Sequence, residues 1–199
     1  MGRPKEHGET TRIALLDAAE RLVESGGIES LSIRRVADEV GTTTRAVYSL
    51  FGSKRGLVIA LGSRAFEWLA AELDSLPITQ DPKADLIDAG ADVFRRLAVE
   101  HPSLFRIGVQ QSGIGSDAAV GIVPAAEDAL ERLETRLERL RAAGGLQGRS
   151  LRQAAFEFHA LCEGLAALEL RCAFAAEESE HAWRSALGTL VSGFMQPFA

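Results

Sequence analysis

The sequence predicts an all-α protein with a small N-terminal domain and a larger helical C-terminal domain. Apolar residues recur at the three- and four-residue spacing of helices along most of the chain. The amphipathic segments end at glycine or proline, as at Gly41, Pro77 and Gly144. With 199 residues of ordinary globular composition, the chain can form one large or two modest domains.

Residues 31–54 predict two short helices joined by a tight turn. Ser32 precedes the first helix and can accept a hydrogen bond from its free N–H groups. Gly41 follows this helix, where a residue with positive φ is favoured, and Thr43 then caps the second helix. The residues predicted to face inward are Ile33, Val36, Ala37 and Val40 in the first helix and Ala46, Val47, Leu50 and Phe51 in the second.

The outward face of the second helix is polar, as expected of the recognition helix in a helix-turn-helix motif at about 32–51. Arg45 is long enough to form a bidentate hydrogen bond with guanine. Lys54 lies near a helix N-terminus, where a phosphate is also favoured. The expected base-edge contacts are Arg34, Thr44, Arg45 and Ser49, and the expected phosphate contacts are Ser32, Thr43, Tyr48 and Lys54.

Residues 9–69 resemble the N-terminal domain of the TetR family of bacterial transcriptional regulators. The residues that carry the resemblance are Ala18, Ala19, Gly26, Val36, Ala37, Gly41, Tyr48, Phe51 and Lys54. The resemblance implies a DNA-binding domain at 9–69 and a C-terminal ligand-binding and dimerisation domain at 77–199. It also implies that the last two helices of each subunit pair into a four-helix bundle.

The rest of the chain predicts further helices. A connecting helix at 53–75 begins at Ser53 and ends before Pro77, and a Gly/Ser-rich segment at 112–121 is expected to be a flexible loop. The remaining predicted helices are 83–100, a short helix after His101-Pro102, 122–143, 150–175 and 178–196.

The last two predicted helices are apolar over a wide arc, so they need cover on more than one side. One chain of this size buries only part of that surface, and a twofold partner would bury the rest. The expected dimer-interface residues are Leu161, Leu165, Leu168, Trp183, Leu187 and Leu190.

Polar residues on otherwise apolar helices predict an effector pocket in the C-terminal domain. Its expected lining is Phe94, Phe105, Gln110, Gln111, Phe158, His159 and Cys162. An alternative is a metal-responsive regulator, because His159, Cys162 and Glu163 have the spacing of one helix face. No cofactor is expected.

The charge distribution is compatible with DNA binding by the N-terminal part. The net charge of −6 divides into +1 for residues 1–55 and −7 for residues 56–199. No run of 18 apolar residues predicts a membrane span. Cys162 and Cys172 would lie about 15 Å apart on one helix, too far for a disulfide, so a reduced cytoplasmic protein is expected.

Enzyme classes lack support, because the chain has no Gly-x-Ser-x-Gly, His-Glu-x-x-His, phosphate-loop or Cys-x-x-Cys motif. Together with the helix-turn-helix, the resemblance to the TetR family implies a sequence-specific transcriptional regulator. It is expected to be a homodimeric repressor that binds a palindromic double-stranded operator and is released from it by a small molecule. The alternative is a small helical dimerisation or binding protein without specific DNA readout.

Overall fold

The computed structural model describes residues 4–110, 117–173 and 175–197, and these contain helices but no strand. The all-α prediction is confirmed. Two π-helical segments, Ala89–Phe94 and Arg106–Gln110, and a 3₁₀ turn at Ile28–Ser30 accompany the α-helices. The α-helices are α1 Pro4–Gly26, α2 Ile33–Val40, α3 Thr44–Phe51, α4 Lys54–Ser75, α5 Pro82–Asp88, α6 Arg95–Glu100, α7 Pro102–Phe105, α8 Asp117–Ala142, α9 Leu151–Glu169 and α10 Ala176–Phe194.

The chain forms two compact units that alternate along the sequence. The described residues of Met1–Ala65 and His101–Val123 belong to the first unit, and those of Phe66–Glu100 and Pro124–Ala199 belong to the second. The predicted division into 9–69 and 77–199 is sequential, so it does not include the return of the chain to the first unit at His101. No helix among the described residues is long and apolar enough to cross a membrane.

In the first unit, α1 packs against α2, α3 and α7. Two carboxylates of α1 hold the start of α7: His101 Nδ1 lies 3.0 Å from Glu20 Oε1, and the Ser103 N–H donates to Glu24 Oε1 at 2.9 Å. Gly108 in the following π-helical segment lies so close to α4 that an added Cβ would be 2.7 Å from the Cβ of Ala65. The core residues of this unit include Leu15, Ala18, Ala19, Val36, Val47, Leu57, Leu61, Leu104 and Phe105.

In the second unit, a half-buried polar network joins α6, α9 and α10. Arg95 donates to both carboxylate oxygens of Glu169, at 2.8–3.1 Å, and the Trp183 Nε1–H donates to the same carboxylate at 2.8 Å. The hydrogen bonds to Glu169 raise the pKa of Arg95. The surrounding core includes Phe94, Leu97, Phe158, Cys162, Leu165, Leu187, Val191 and Phe194.

The structure divides the predicted helix at 83–100 into α5, a π-helical segment and α6. Small residues at the π turn allow close packing: a Cβ on Gly90 would lie 2.5 Å from Leu187 Cδ1 and 3.1 Å from Phe158 Cζ. The loop predicted at 112–121 is also wrong in part, because residues 117–121 belong to α8. Asp117 favours a helix N-terminus and alanines 118 and 119 favour helix, whereas residues 112–116 lie outside the described part.

Helix α9 ends at a left-handed residue that is not glycine. Cys172 has φ 55° and donates its N–H to Glu169 O. The Ala173 N–H donates to Leu168 O, which completes a Schellman motif.

Cys172→Gly is expected to stabilise the protein by about 0.5–1 kcal/mol, a rise in Tm of roughly 1–4 °C, because glycine adopts this conformation without strain. Thermal unfolding tests this. Cys172→Ser is the matched control. An equal rise in Tm in Cys172→Ser would show that removal of the thiol, and not relief of backbone strain, stabilises the protein.

Candidate nucleic-acid interface

Helix α3 presents a polar face that the rest of the first unit holds in place. Gly41 ends α2 at φ 70°, and Thr43 Oγ1 accepts the Ala46 N–H at 3.2 Å, so both predicted turn signals are confirmed. Val47 is fully buried beneath the helix, whereas Tyr48 is 52% exposed. The other exposed residues of this face are Thr44, Arg45 and Ser49. The structure thus brings the predicted contacts of α3 together on one surface.

Helices α2 and α3 are held against α1 by contacts of two long side chains, Arg12 and Arg21. The Arg21 Nε–H donates to Glu39 Oε1 at 2.9 Å, which joins α1 to α2. The Arg12 guanidinium lies 5.8 Å from the centroid of the Phe51 ring, which joins α1 to the end of α3. These pairs are separated by many residues, so no local spacing in the sequence indicates them.

Two of the predicted DNA contacts, Ser32 and Arg34, lie at the start of α2. Arg34 lies on α2, strongly exposed, with its Nε 3.8 Å from Asp38 Oδ2. An exposed ion pair of this kind contributes little to stability, so the guanidinium can exchange its partner for a nucleic-acid oxygen. The predicted cap by Ser32 is wrong in one respect: its side chain makes no capping hydrogen bond, although its backbone has the extended conformation of an N-cap. Its hydroxyl is therefore not committed to α2.

The start of α4 lies directly after α3 and exposes Lys54. Ser53 Oγ accepts the Gly56 N–H at 3.0 Å, which confirms the predicted start of this helix. Gly56 approaches the end of α3 so closely that an added Cβ would lie 1.9 Å from the backbone oxygen of Phe51. The position of Lys54 relative to the α3 surface thus depends on this contact.

Gly56→Ala is expected to destabilise the protein by about 1–3 kcal/mol, because a backbone carbonyl must move to admit the methyl group. Thermal unfolding would show this as a fall in Tm of roughly 2–12 °C. Gly8→Ala is the matched control, since a Cβ at that helical position meets nothing within 4 Å. A variant at Gly56 as stable as the variant at Gly8 would contradict the expectation.

The predicted effector residues divide between the two units. Phe105 is buried in the first unit and Gln110 is exposed there, whereas Gln111 lies outside the described residues. Within the second unit, Phe94 and His159 form an edge-to-face pair with ring centroids 5.4 Å apart, and Phe158 and Cys162 lie in the core. The predicted set is therefore not the lining of one pocket within either unit.

His159, Cys162 and Glu163 do not form the metal site of the alternative prediction. Burial raises the pKa of the Cys162 thiol and lowers that of His159, and only His159 and Glu163 approach each other, at 3.8 Å. Among the side chains that the structure describes, no group of three His, Cys, Asp or Glu residues could hold a metal ion. Periodicity placed these three residues on one helix face, but Cys162 points into the core.

The predicted dimer residues also differ in exposure. Trp183 and Leu187 are fully buried and Leu165 nearly so, because the chain's own core covers them, so these three provide no surface for a partner. Leu161 and Leu190 are half-buried, and Leu168 is 37% exposed. The exposed face of α9 instead includes Phe156, Ala160, Gly164 and Leu168.

Comparison with known proteins identifies both parts of the chain. Residues 15–61 match the model of the bacterial regulatory proteins of the tetR family, and residues 87–190 match that of the tetracyclin repressor-like C-terminal domain. No curated protein sequence is detectably similar.

Solved structures share the fold across nearly the whole chain. A protein of unknown function from Rhodococcus sp. RHA1 has a TM-score of 0.81 and 23% identity, covering 94% of this chain and 96% of that one. FadR from Bacillus subtilis in complex with stearoyl-CoA has a TM-score of 0.74 and 16% identity, covering 92% and 98%. A TetR variant from Acinetobacter baumannii AYE in complex with minocycline has a TM-score of 0.65 and 22% identity, covering 90% and 93%.

Proposed function

Since this chain belongs to the TetR family of bacterial regulatory proteins, we propose that it is a homodimeric repressor that binds a palindromic DNA operator and is released by a small-molecule effector. The observation that carries the proposal is the exposed polar face of α3 above the buried Val47. A helix of eight residues with this face fits the major groove of B-DNA.

The proposed DNA contacts follow from where each side chain lies. Arg45 is exposed on the first turns of α3, where the residues of a recognition helix reach base edges. Thr43 uses its oxygen to cap α3, and its hydroxyl hydrogen can still donate to a phosphate. The remaining proposed base-edge residues are Arg34, Thr44 and Ser49, and the remaining proposed phosphate contacts are Ser32, Tyr48 and Lys54.

The exposed face of α9 supports the proposed dimer. We call Phe156, Ala160, Gly164 and Leu168 the α9 stripe, since each residue follows the previous one by a helical turn. Its large residues lie at the two ends, with Phe156 at 55% exposure, and its small residues lie at the centre. An antiparallel twofold crossing would pair each large end with the opposite large end and Ala160 with Gly164, as an isologous interface requires.

The proposed effector binds in the second unit, which contains most of the residues that match the model of the C-terminal domain. The ligand complexes of the two structural neighbours, with stearoyl-CoA and with minocycline, support a sensing role for this fold. A differential affinity of about 1–3 kcal/mol between the free and the DNA-bound dimer would suffice for roughly five- to 150-fold release.

Electrophoretic and footprinting assays with the DNA that flanks the protein's own gene would test the proposal. We expect a protected palindromic site whose affinity falls steeply with salt concentration, and a screened compound that lowers this affinity. Retention of all DNA sequences alike, or no salt-dependent retention, would favour the helical binding protein without specific readout.

A further inference from the structure

Among the residues of the second unit that the structure describes, Arg136 is a buried cation without a carboxylate partner. Arg136, in the C-terminal half of α8, is only 4% exposed. Its Nη2 donates to the backbone oxygens of Leu73 and Leu76, at 2.6 and 2.7 Å, at the end of α4. Its Nη1 is buried and has no hydrogen-bond acceptor among the described residues. Nη2 of the guanidinium therefore has two acceptors, whereas Nη1 has none among the described residues.

The arginines one turn away on either side of Arg136 differ from it in this respect. Arg132 pairs with Asp74 and Asp128, at 3.4 and 2.5 Å. Arg139 pairs with Asp85 and also donates to Thr79 O at 2.5 Å. The carboxylates nearest to Arg136 are thus engaged by its neighbours, and no ion pair of Arg136 is found in the part of the chain that the structure describes.

A buried charge without a partner of opposite sign destabilises the folded protein unless another interaction compensates for it. Burial lowers the pKa of Arg136, which is the physical sign of this cost. The guanidinium fork matches the two oxygens of a carboxylate, and the neighbouring core residues Leu73, Leu133, Leu137 and Leu140 would suit an apolar body.

We propose that Arg136 anchors the carboxylate of a small effector whose remainder is apolar. This rests on the proposed function and specifies the effector that the second unit recognises. The same guanidinium binds the carbonyl groups of Leu73 and Leu76, one within the last turn of α4 and one directly after it. A carboxylate on Nη1 therefore competes with these two carbonyl groups for the orientation of the guanidinium. Binding at Arg136 therefore acts directly on the end of α4.

The experiment uses the full-length protein with octanoate, dodecanoate and benzoate as probes, each beside its primary amide and at constant ionic strength. Calorimetry gives the affinity, and an operator-binding titration gives the release. At least one carboxylate is expected to bind at least about fivefold more tightly than its amide and to lower operator affinity by about fivefold or more. Arg136→Met should abolish the preference for the carboxylate, whereas Arg132→Met, one turn earlier on α8, should retain it.

If Arg136→Met does not fold, NMR of the wild-type protein labelled with ¹⁵N-arginine replaces it. A carboxylate is then expected to shift the signal of one slowly exchanging guanidinium, and its amide is not. The inference is overturned if no carboxylate is preferred over its amide, if the preference survives in Arg136→Met, or if no guanidinium signal shifts. Operator release by amides and carboxylates alike would leave the proposed function intact, whereas absence of any operator binding would reject that function.

Discussion

Arg45→Ala is expected to reduce the preference for operator over random DNA by roughly five- to 150-fold. The reason is that a bidentate contact with a base contributes on the order of 1–3 kcal/mol of discrimination. The affinity for random DNA should fall far less, because phosphate contacts determine it. Binding titrations with operator and random duplexes of equal length would measure both affinities.

Lys54→Ala is the matched comparison, since Lys54 is an exposed cation at the neighbouring start of α4. Loss of a phosphate contact should weaken binding to every sequence alike and make the salt slope shallower by about one unit. An Arg45→Ala protein that keeps the wild-type ratio of operator to random affinity would show that Arg45 does not read a base.

At micromolar protein concentration, Leu168→Glu is expected to convert the dimer into monomers. In the proposed crossing, Leu168 lies against the partner's α9 stripe, and a carboxylate there would be buried without a partner, which costs several kcal/mol. Val99→Glu is the matched control, because Val99 is similarly exposed, at 46%, but lies on α6. Sedimentation velocity of both variants would test this expectation.

Operator binding should be lost together with the dimer. Two half-sites about one helical turn apart need two linked recognition helices, so a monomer binds only one of them. A Leu168→Glu monomer that still binds the palindrome tightly would contradict the proposed assembly. A Leu168→Glu dimer would place the interface elsewhere.

The helix-turn-helix could be predicted from the sequence because its signals are local. The positive φ of Gly41, the cap at Thr43 and the start of α4 beside Ser53 depend on residues within one or two turns. The predicted connecting helix at 53–75 differs by one residue from α4. Capping and periodicity act over this range, so they also determine the polar face of α3.

In the C-terminal part the helices were predicted, but several predicted site residues were wrong because their surroundings depend on tertiary neighbours. The apolar arc of α10 was predicted correctly. Periodicity does not show, however, whether the chain's own α5 or a partner subunit packs against that arc. Trp183 and Leu187 therefore proved to be core residues. Similarly, Arg136 has the spacing of an exposed helix residue between two leucines, and only the structure reveals its burial against α4.

The return of the chain at His101 has a consequence for engineering. Glu20, Glu24, Gly62 and Ala65 all contact the segment that begins at His101, so the DNA-reading unit lacks part of its own packing if the chain is cut after α4. Transplanting this DNA specificity onto another sensor would require two grafts, one for each stretch of sequence. A single recombination junction is therefore not enough to exchange the parts of this fold, although the two proposed activities lie in different units.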